Sequence, residues 1–185
     1  MATEEARLVR RCLKGDAEAV RALVDQFQSS VYGLCVRLLG NRHDAEDVSQ
    51  EVFVRIFRSL RRWDASRPLK PWIMGIAVNR CRTWLAQRTR RPELADYLQD
   101  VVAAPSADDT AELLHEIRAA LKDLRPEFRE VFVLFHEHGQ SYEDIAQGLG
   151  CPLGTVKTWL HRARMEVLDR LQQRGMVASE VMDRG

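Results

Sequence analysis

Apolar residues recur every three or four positions along most of this chain, and no stretch alternates apolar and polar residues as a half-buried strand does. The longest such run ends at Gly40 and follows Asp16, which we predict as its N-cap. Its apolar positions are Val20, Leu23, Val24, Phe27, Val31, Leu34 and Leu38. A period near 3.6 places these side chains on one helix face, which other helices must cover. The sequence therefore predicts an all-α protein.

Two more helices follow in the N-terminal half. The first lies within "NRHDAEDVSQEVFVRIFRSL", where Asp44 is the predicted N-cap. Its apolar stripe comprises Ala45, Val48, Val52, Ile56 and Leu60. After the loop "RWDASRPLK", Pro71 sits in the first turn of the next helix, where its missing N–H costs nothing. We expect these helices to close one small core, which gives a first domain at residues 1–91.

Charge is unevenly distributed along the chain, although the formal net charge is only +1. Residues 54–92 contain 11 Lys or Arg and 1 Asp or Glu. Residues 93–116 contain no Lys or Arg and 7 Asp or Glu. Such a basic block predicts a surface for a polyanion. The acidic stretch loses helical periodicity and gains Pro, Ser and Asp, so we interpret residues 92–111 as a flexible linker.

Four helices are predicted in a second domain at residues 112–174, which leaves a tail at 175–185. Pro126 opens the second of these helices, and Ser141 caps the third with Asp144 in capping-box position. Gly150 ends that third helix. The fourth contains "CPLGTVKTWLHRAR" and buries one apolar face. That face comprises Val156, Leu160, Ala163, Val167 and Leu171.

The last two helices are separated by the tight turn "LGCPLG", and the second is basic on its free side. This is the pattern of a helix-turn-helix that reads duplex DNA. A solvated amphipathic helix is the simpler alternative, but the turn chemistry and the capped helix before it favour DNA contact. Trp159, at the edge of the apolar stripe, is expected to pack. The predicted DNA-facing residues are Gly154, Thr155, Lys157, Thr158, His161 and Arg162.

Tryptophans lie within the basic block at positions 63, 72 and 84. Aromatic rings beside positive charge suit the binding of unstacked single strands, because every base has a π-face and every linkage carries a charge. Trp72 and Trp84 have the helical spacing of core residues. Trp63 lies in the predicted loop and is the better candidate for contact with a base.

The sequence gives little support for a disulfide-bonded protein, a metal protein, an enzyme or a membrane protein. The four cysteines form no C-x-x-C pair, and His136 and His138 point to different helix faces, so we predict neither disulfides nor a metal site. No nucleophile–base pair or phosphate loop is visible, so we predict neither an enzyme nor a cofactor. No apolar run approaches the roughly 18 residues of a membrane span, and we expect a cytoplasmic protein.

Three stretches of this chain together resemble the extracytoplasmic-function (ECF) group of bacterial RNA polymerase sigma factors. They are "DAEDVSQEVFVRIFRSL", "KPWIMGIAVNRCRTWL" and "LRPEFREVFVLFHEHGQSYEDIAQGLGCPLGTVKTWLHRAR", which resemble consecutive signature regions in the right order. The resemblance spans about residues 5–172. It implies a sigma region 2 bundle and a sigma region 4 helix-turn-helix in a factor that binds core polymerase, melts the minus-10 element and reads the minus-35 duplex.

The resemblance also implies roles for individual positions. The first set, expected to dock the coiled coil of the largest polymerase subunit, is Asp44, Asp47, Gln50 and Glu51. The second, expected at the opened minus-10 strand, is Trp63, Asn79, Arg80, Arg82 and Arg88. The predicted helix-turn-helix residues match the minus-35 reading face. The implied partners are core polymerase (including its flap), promoter DNA and an anti-sigma protein.

Two positions depart from the pattern of the family. Trp159 stands where many relatives carry arginine, and Gly75 stands where a bulky or basic residue is common. The alternative function is a stand-alone helix-turn-helix regulator, which would bind duplex DNA without polymerase. A helical enzyme or metal protein is a further alternative, which the scattered His and Cys support weakly.

Overall fold

The computed structural model describes residues 3–89 and 109–177. Within those ranges the chain forms eight α-helices, one 3-10 turn at Leu60–Arg62 and no strand, which confirms the all-α prediction. The helices are α1 (Glu4–Leu13), α2 (Ala17–Leu39), α3 (Arg42–Ser59), α4 (Leu69–Thr89), α5 (Asp109–Asp123), α6 (Pro126–His136), α7 (Tyr142–Leu149) and α8 (Leu153–Gln173). The predicted linker lies outside the described residues except for 109–111, which begin α5.

Local signals set the ends of the N-terminal helices. The Asp16 carboxylate accepts hydrogen bonds from the amides of the second and third residues of α2, and Gly40 ends that helix at a φ of 72°, as predicted. The predicted cap of α3 was wrong. The side chain of Asn41 caps this helix by accepting from the amide of Asp44, which places Asp44 inside the first turn.

Helices α2, α3 and α4 pack around one apolar core, and α1 covers part of α2. Among the fully buried side chains are Leu23, Leu34, Ile56, Ile73 and Met74. Helix α1 was not predicted. The signal was present in the sequence, because the buried residues Ala6, Val9 and Cys12 recur every three positions.

The C-terminal helices α5–α8 form a second bundle, in which α8 contacts each of the other three. Ser141 and Asp144 form the predicted capping box, and Gly150 ends α7 at a φ of 65°. Two arginines satisfy carbonyl groups at the end of α5. Arg129 donates to the carbonyl of Lys122 (2.6 Å), and Arg170 donates to that of Ala120 (3.0 Å).

The two bundles also pack against each other, with α4 against α7 and α2 against α6. The backbones meet at Gly75 and Gly148. A Cβ atom on Gly148 would lie 2.9 Å from the carbonyl oxygen of Pro71, so only the absence of side chains permits this approach. The sequence did not predict this contact, because glycines inside a helix look the same whether or not another backbone touches them.

Polar contacts also link the two bundles. A buried carboxylate, Glu130 of α6, is bound by Arg82 of α4. The Lys70 ammonium donates to the carbonyl of His138 at 2.8 Å. The Arg37 guanidinium of α2 is bonded to Glu137, also at 2.8 Å. The interface therefore combines a close backbone approach with polar and charged contacts between the bundles.

None of the helices in the described part of the chain combines the length and apolar character needed to cross a membrane.

Replacing Ser141 by alanine removes one half of the capping box at the start of α7. We expect Ser141→Ala to lower the free energy of unfolding by about 1 kcal/mol, because the amide of Asp144 loses its partner. Urea unfolding measures this difference. The control is Ser49→Ala, since the Ser49 hydroxyl bonds a carbonyl within α3 and caps no helix end. Equal losses in both variants would contradict the role of the capping box.

We expect His138 to make the folding stability of the chain sensitive to acid. Burial, and then the positive charge of Lys70, lower the pKa of His138; Arg37 acts in the same direction, and Glu137 opposes it. The unfolded chain binds this proton below a pH of about 6.5, whereas the folded chain resists it. Stability is therefore expected to fall as the pH drops below that value.

Thermal unfolding between pH 7.5 and 5.5 measures this effect. The variant His138→Gln is expected to lose less stability on acidification than the unchanged chain does. His43→Gln, at an exposed position on α3, is the control and is expected to keep the full pH dependence. The same pH dependence in the His138 variant and the unchanged chain would rule out this role.

Candidate nucleic-acid interface

The first half of α8 presents the predicted DNA-facing residues on one exposed surface. At about 100° per residue, positions 154–162 of this set span an arc of roughly 160°. Thr155 is half-buried and the others are exposed. The opposite side of the helix is buried, with Val156, Leu160 and Ala163 in the core. Core packing therefore fixes which side chains face solvent.

The basic side chains on this surface have no bonding partner in the described part of the chain. Lys157, His161 and Arg162 form no hydrogen bond or ion pair with other residues in the described ranges. Thr158 differs, because its hydroxyl donates to the carbonyl of Gly154 at 2.9 Å. Contact between this hydroxyl, as donor, and a base would require a change of rotamer.

The start of α8 suits an approaching phosphate. Pro152 is the N-cap and offers no side-chain acceptor, so the first amides of the helix have no side-chain cap. Gly154 is exposed, and a Cβ atom there would meet nothing within 4 Å. Exposed amides and the positive end of the helix dipole favour an anion at this place. Trp159 packs against the apolar core, as its position in the stripe predicted.

An acidic face lies on α3 in the other bundle. Asp47 and Gln50 are exposed. Asp44 and Glu51, from the same predicted set, instead form ion pairs with arginines of α4. The bond from Arg80 lowers the pKa of Glu51 and keeps it charged. The face therefore has two side chains open to a partner and two that link α3 to α4.

The three arginines predicted for the opened strand do not share a face of α4. Arg80 is only 6% exposed and donates two hydrogen bonds, of 2.6 and 3.0 Å, to Glu51. Arg88 pairs with Asp44 on the same side, whereas Arg82 turns toward the second bundle. Asn79 is exposed. Sequence spacing alone did not reveal that α3 and α6 supply acidic partners for these cations.

One of the three tryptophans is placed differently from the sequence prediction. Trp63, predicted to meet a base, is 8% exposed and lies in the core, with its indole N–H lacking a hydrogen-bond partner in the described part of the chain. Trp72 and Trp84 are partly buried against the core. The guanidinium of Arg80 lies 5.3 Å from the ring centre of Trp84. None of the three rings stands free as a stacking platform in this conformation.

A different set of cations is exposed at the end of α3 and in the 3-10 turn. We call Arg55, Arg58, Arg61 and Arg62 the arginine patch. None of them belonged to the predicted set of strand contacts. The signal was present in the sequence, because the basic block begins at residue 54 and positions 55, 58 and 62 have helical spacing.

Comparisons with known proteins agree with this arrangement. The family Sigma-70 region 2 matches residues 23–91, and Sigma-70, region 4 matches residues 114–167. The RNA polymerase sigma-H factor of Pseudomonas aeruginosa is 31% identical over 183 residues, covering 92% of this chain and 94% of that protein. The ECF RNA polymerase sigma factor SigW of Bacillus subtilis is 31% identical over 179 residues, covering 89% and 95% respectively.

A solved structure shows the same fold. The sigma factor RpoE of Bartonella quintana, crystallised with the anti-sigma factor NepR, has a TM-score of 0.70 and 24% identity, covering 89% of this chain and 98% of that one. These matches favour a sigma factor over a stand-alone regulator. The two family regions, in order on two helical bundles, and the similarity to SigW over nearly its whole length show that this chain belongs to the ECF RNA polymerase sigma factors.

Proposed function

We propose that this sigma factor directs core polymerase to promoters by reading the minus-35 duplex with α8 and engaging the minus-10 element with its N-terminal bundle. The observation that carries the proposal is the exposed surface of α8, where three cationic or titratable side chains have no partner in the described ranges. The polymerase supplies the chemistry, and this chain supplies recognition in the cytoplasm.

The minus-35 contact follows from the geometry of α8. An α-helix fits the major groove, where Arg and Lys pair with guanine edges and Thr serves several partners. With the apolar face buried against α6 and α7, Arg162 and Lys157 face outward together. The uncapped helix start near Gly154 would hold a phosphate and set the register.

The minus-10 contact rests on two exposed features of the N-terminal bundle. Asn79 offers an amide to a base edge, and the arginine patch offers charge to the strand backbone. In our proposal, Arg80 and Arg88 act indirectly, because their ion pairs fix α4 against α3. Stacking by Trp63 would require its ring to leave the core, at the cost of its apolar contacts.

Two protein partners are included in the proposal. The exposed Asp47 and Gln50 of α3 are proposed to bind the coiled coil of the largest polymerase subunit, and the C-terminal bundle is proposed to lie at the flap. The Bartonella quintana sigma factor forms a complex with an anti-sigma factor. We extend this kind of partner to the present chain.

Reversing one charge on α3 tests the polymerase contact. We expect Asp47→Arg to reduce transcription dependent on this protein by roughly tenfold or more, because like charges brought together at an interface cost several kcal/mol. Multi-round transcription with purified core polymerase on a pool of promoter fragments measures it. Asp25→Arg makes the same reversal on the exposed surface of α2 and is expected to retain activity. Equal activity of the two variants would contradict this contact.

Removing one cation from α8 tests the minus-35 contact. We expect Arg162→Ala to weaken discrimination at one base pair by roughly 5- to 150-fold, the equivalent of one lost bidentate contact. The measurement is the same transcription assay with promoters that differ singly across the minus-35 element. Arg21→Ala removes an exposed charge from α2 and is expected to preserve base preference. A uniform loss over all promoters would indicate a phosphate contact instead.

A further inference from the structure

We infer that Glu5, in the first helix, is a positioning residue for the minus-10 contact. Its carboxylate caps the start of α4 and thereby fixes the loop 63–68, which lies between the arginine patch and the helix that carries Asn79. This inference rests on the proposed function, in which the arginine patch and Asn79 meet the same opened strand. Glu5 was not among the predicted site residues.

The start of α4 has no acceptor available in the residues directly before it. Pro68 precedes Leu69, the first residue of α4, and a proline ring offers no side-chain oxygen to the first amides of a helix. The side chains of Asp64 and Ser66 could accept, but the Ser66 hydroxyl donates to the Asp64 carboxylate at 2.7 Å within the loop. A cap for α4 therefore has to come from another part of the chain.

Glu5 supplies this cap from 64 positions away. Its Oε2 atom accepts a hydrogen bond from the backbone amide of Leu69 at 3.1 Å. Glu5 is half-buried and Leu69 is fully buried. A negative charge at this place also matches the positive end of the helix dipole. The neighbouring Glu4 is exposed and forms no hydrogen bond or ion pair with other described residues, so the contact is specific to one of the two carboxylates.

Helix α1 thus holds the loop at both of its ends. It packs against the 3-10 turn, which carries Arg61 and Arg62 of the arginine patch, and through Glu5 it bonds the start of α4. The polar contacts inside the loop are exposed and local, because Asp64 bonds only to Ser66 and Arg67. They fix the shape of the turn, whereas α1 fixes where the turn lies.

A fixed loop matters most while the duplex is being opened. Asn79 follows Leu69 by ten residues on the same helix, which places it about 15 Å along the axis. The arginine patch and Asn79 can capture one strand before it re-pairs only if their separation is already set, because a pre-ordered surface binds without first losing freedom. A strand that is already unpaired can follow a loosened surface, since its bases no longer have to be unstacked.

Hydrogen exchange of the Leu69 amide, followed by NMR on the full chain, tests the cap. Glu5→Ala is expected to speed this exchange by roughly fivefold or more. Glu5→Gln keeps an acceptor oxygen and is expected to stay within about twofold of the unchanged chain. Glu4→Ala removes the same charge from the same turn and is the matched control, with no change expected. Unchanged exchange in Glu5→Ala would overturn the cap.

Transcription with core polymerase tests the positioning role, on a promoter from the assay above supplied in two forms. One form is fully duplex, and in the other the minus-10 element is already unpaired. Glu5→Ala is expected to lower transcription by roughly fivefold on the duplex and by less than about twofold on the unpaired form, and Glu5→Gln to restore both. Asp16→Ala removes the cap of α2 and is expected to affect both forms equally.

The outcomes separate this inference from the proposed function. Equal losses on the two promoter forms in Glu5→Ala would leave Glu5 a purely structural role and overturn the positioning role. Faster exchange at Leu69 with unchanged transcription would overturn it as well. Absence of transcription with the unchanged chain would overturn the proposed function, and the positioning role with it, while the exchange of the Leu69 amide would still report the cap.

Discussion

Burial of one face per helix is the constraint on which this structure depends. A helix whose apolar residues recur every three or four positions has one side for the core and the opposite side for everything else. In α8 the core takes Val156, Leu160 and Ala163, which leaves Lys157, His161 and Arg162 in water. The proposed DNA-binding surface of α8 needs no separate specification, because packing already determines where those side chains point.

The role of each arginine in this molecule depends more on whether it has a carboxylate partner than on the net charge of the chain. The net charge is +1, yet the basic stretch at 54–92 is divided between two roles. Arg80 and Arg88 pair with carboxylates of α3 and hold two helices together, whereas the arginine patch stays exposed. The helix proposed to bind polymerase, α3, is thus joined by ion pairs to α4, so a displacement of α3 would also move α4.

Features set by neighbours in sequence were predicted, and features set by distant residues were not. The capping box at Ser141, the end of α2 at Gly40 and the exposed face of α8 all follow from spacing within about four residues. The partners of Arg80 and Arg82 lie 29 and 48 residues away, which no local pattern reveals. Trp63 does lie in a loop, but nothing local in the sequence shows that the core closes over it.

The pairing of Gly75 with Gly148 has a consequence for how such chains diverge. A side chain acquired at either position alters a surface that the other half of the molecule contacts, so the two sites are expected to vary together. Exchange of halves between relatives would therefore lose the close backbone fit at this crossing.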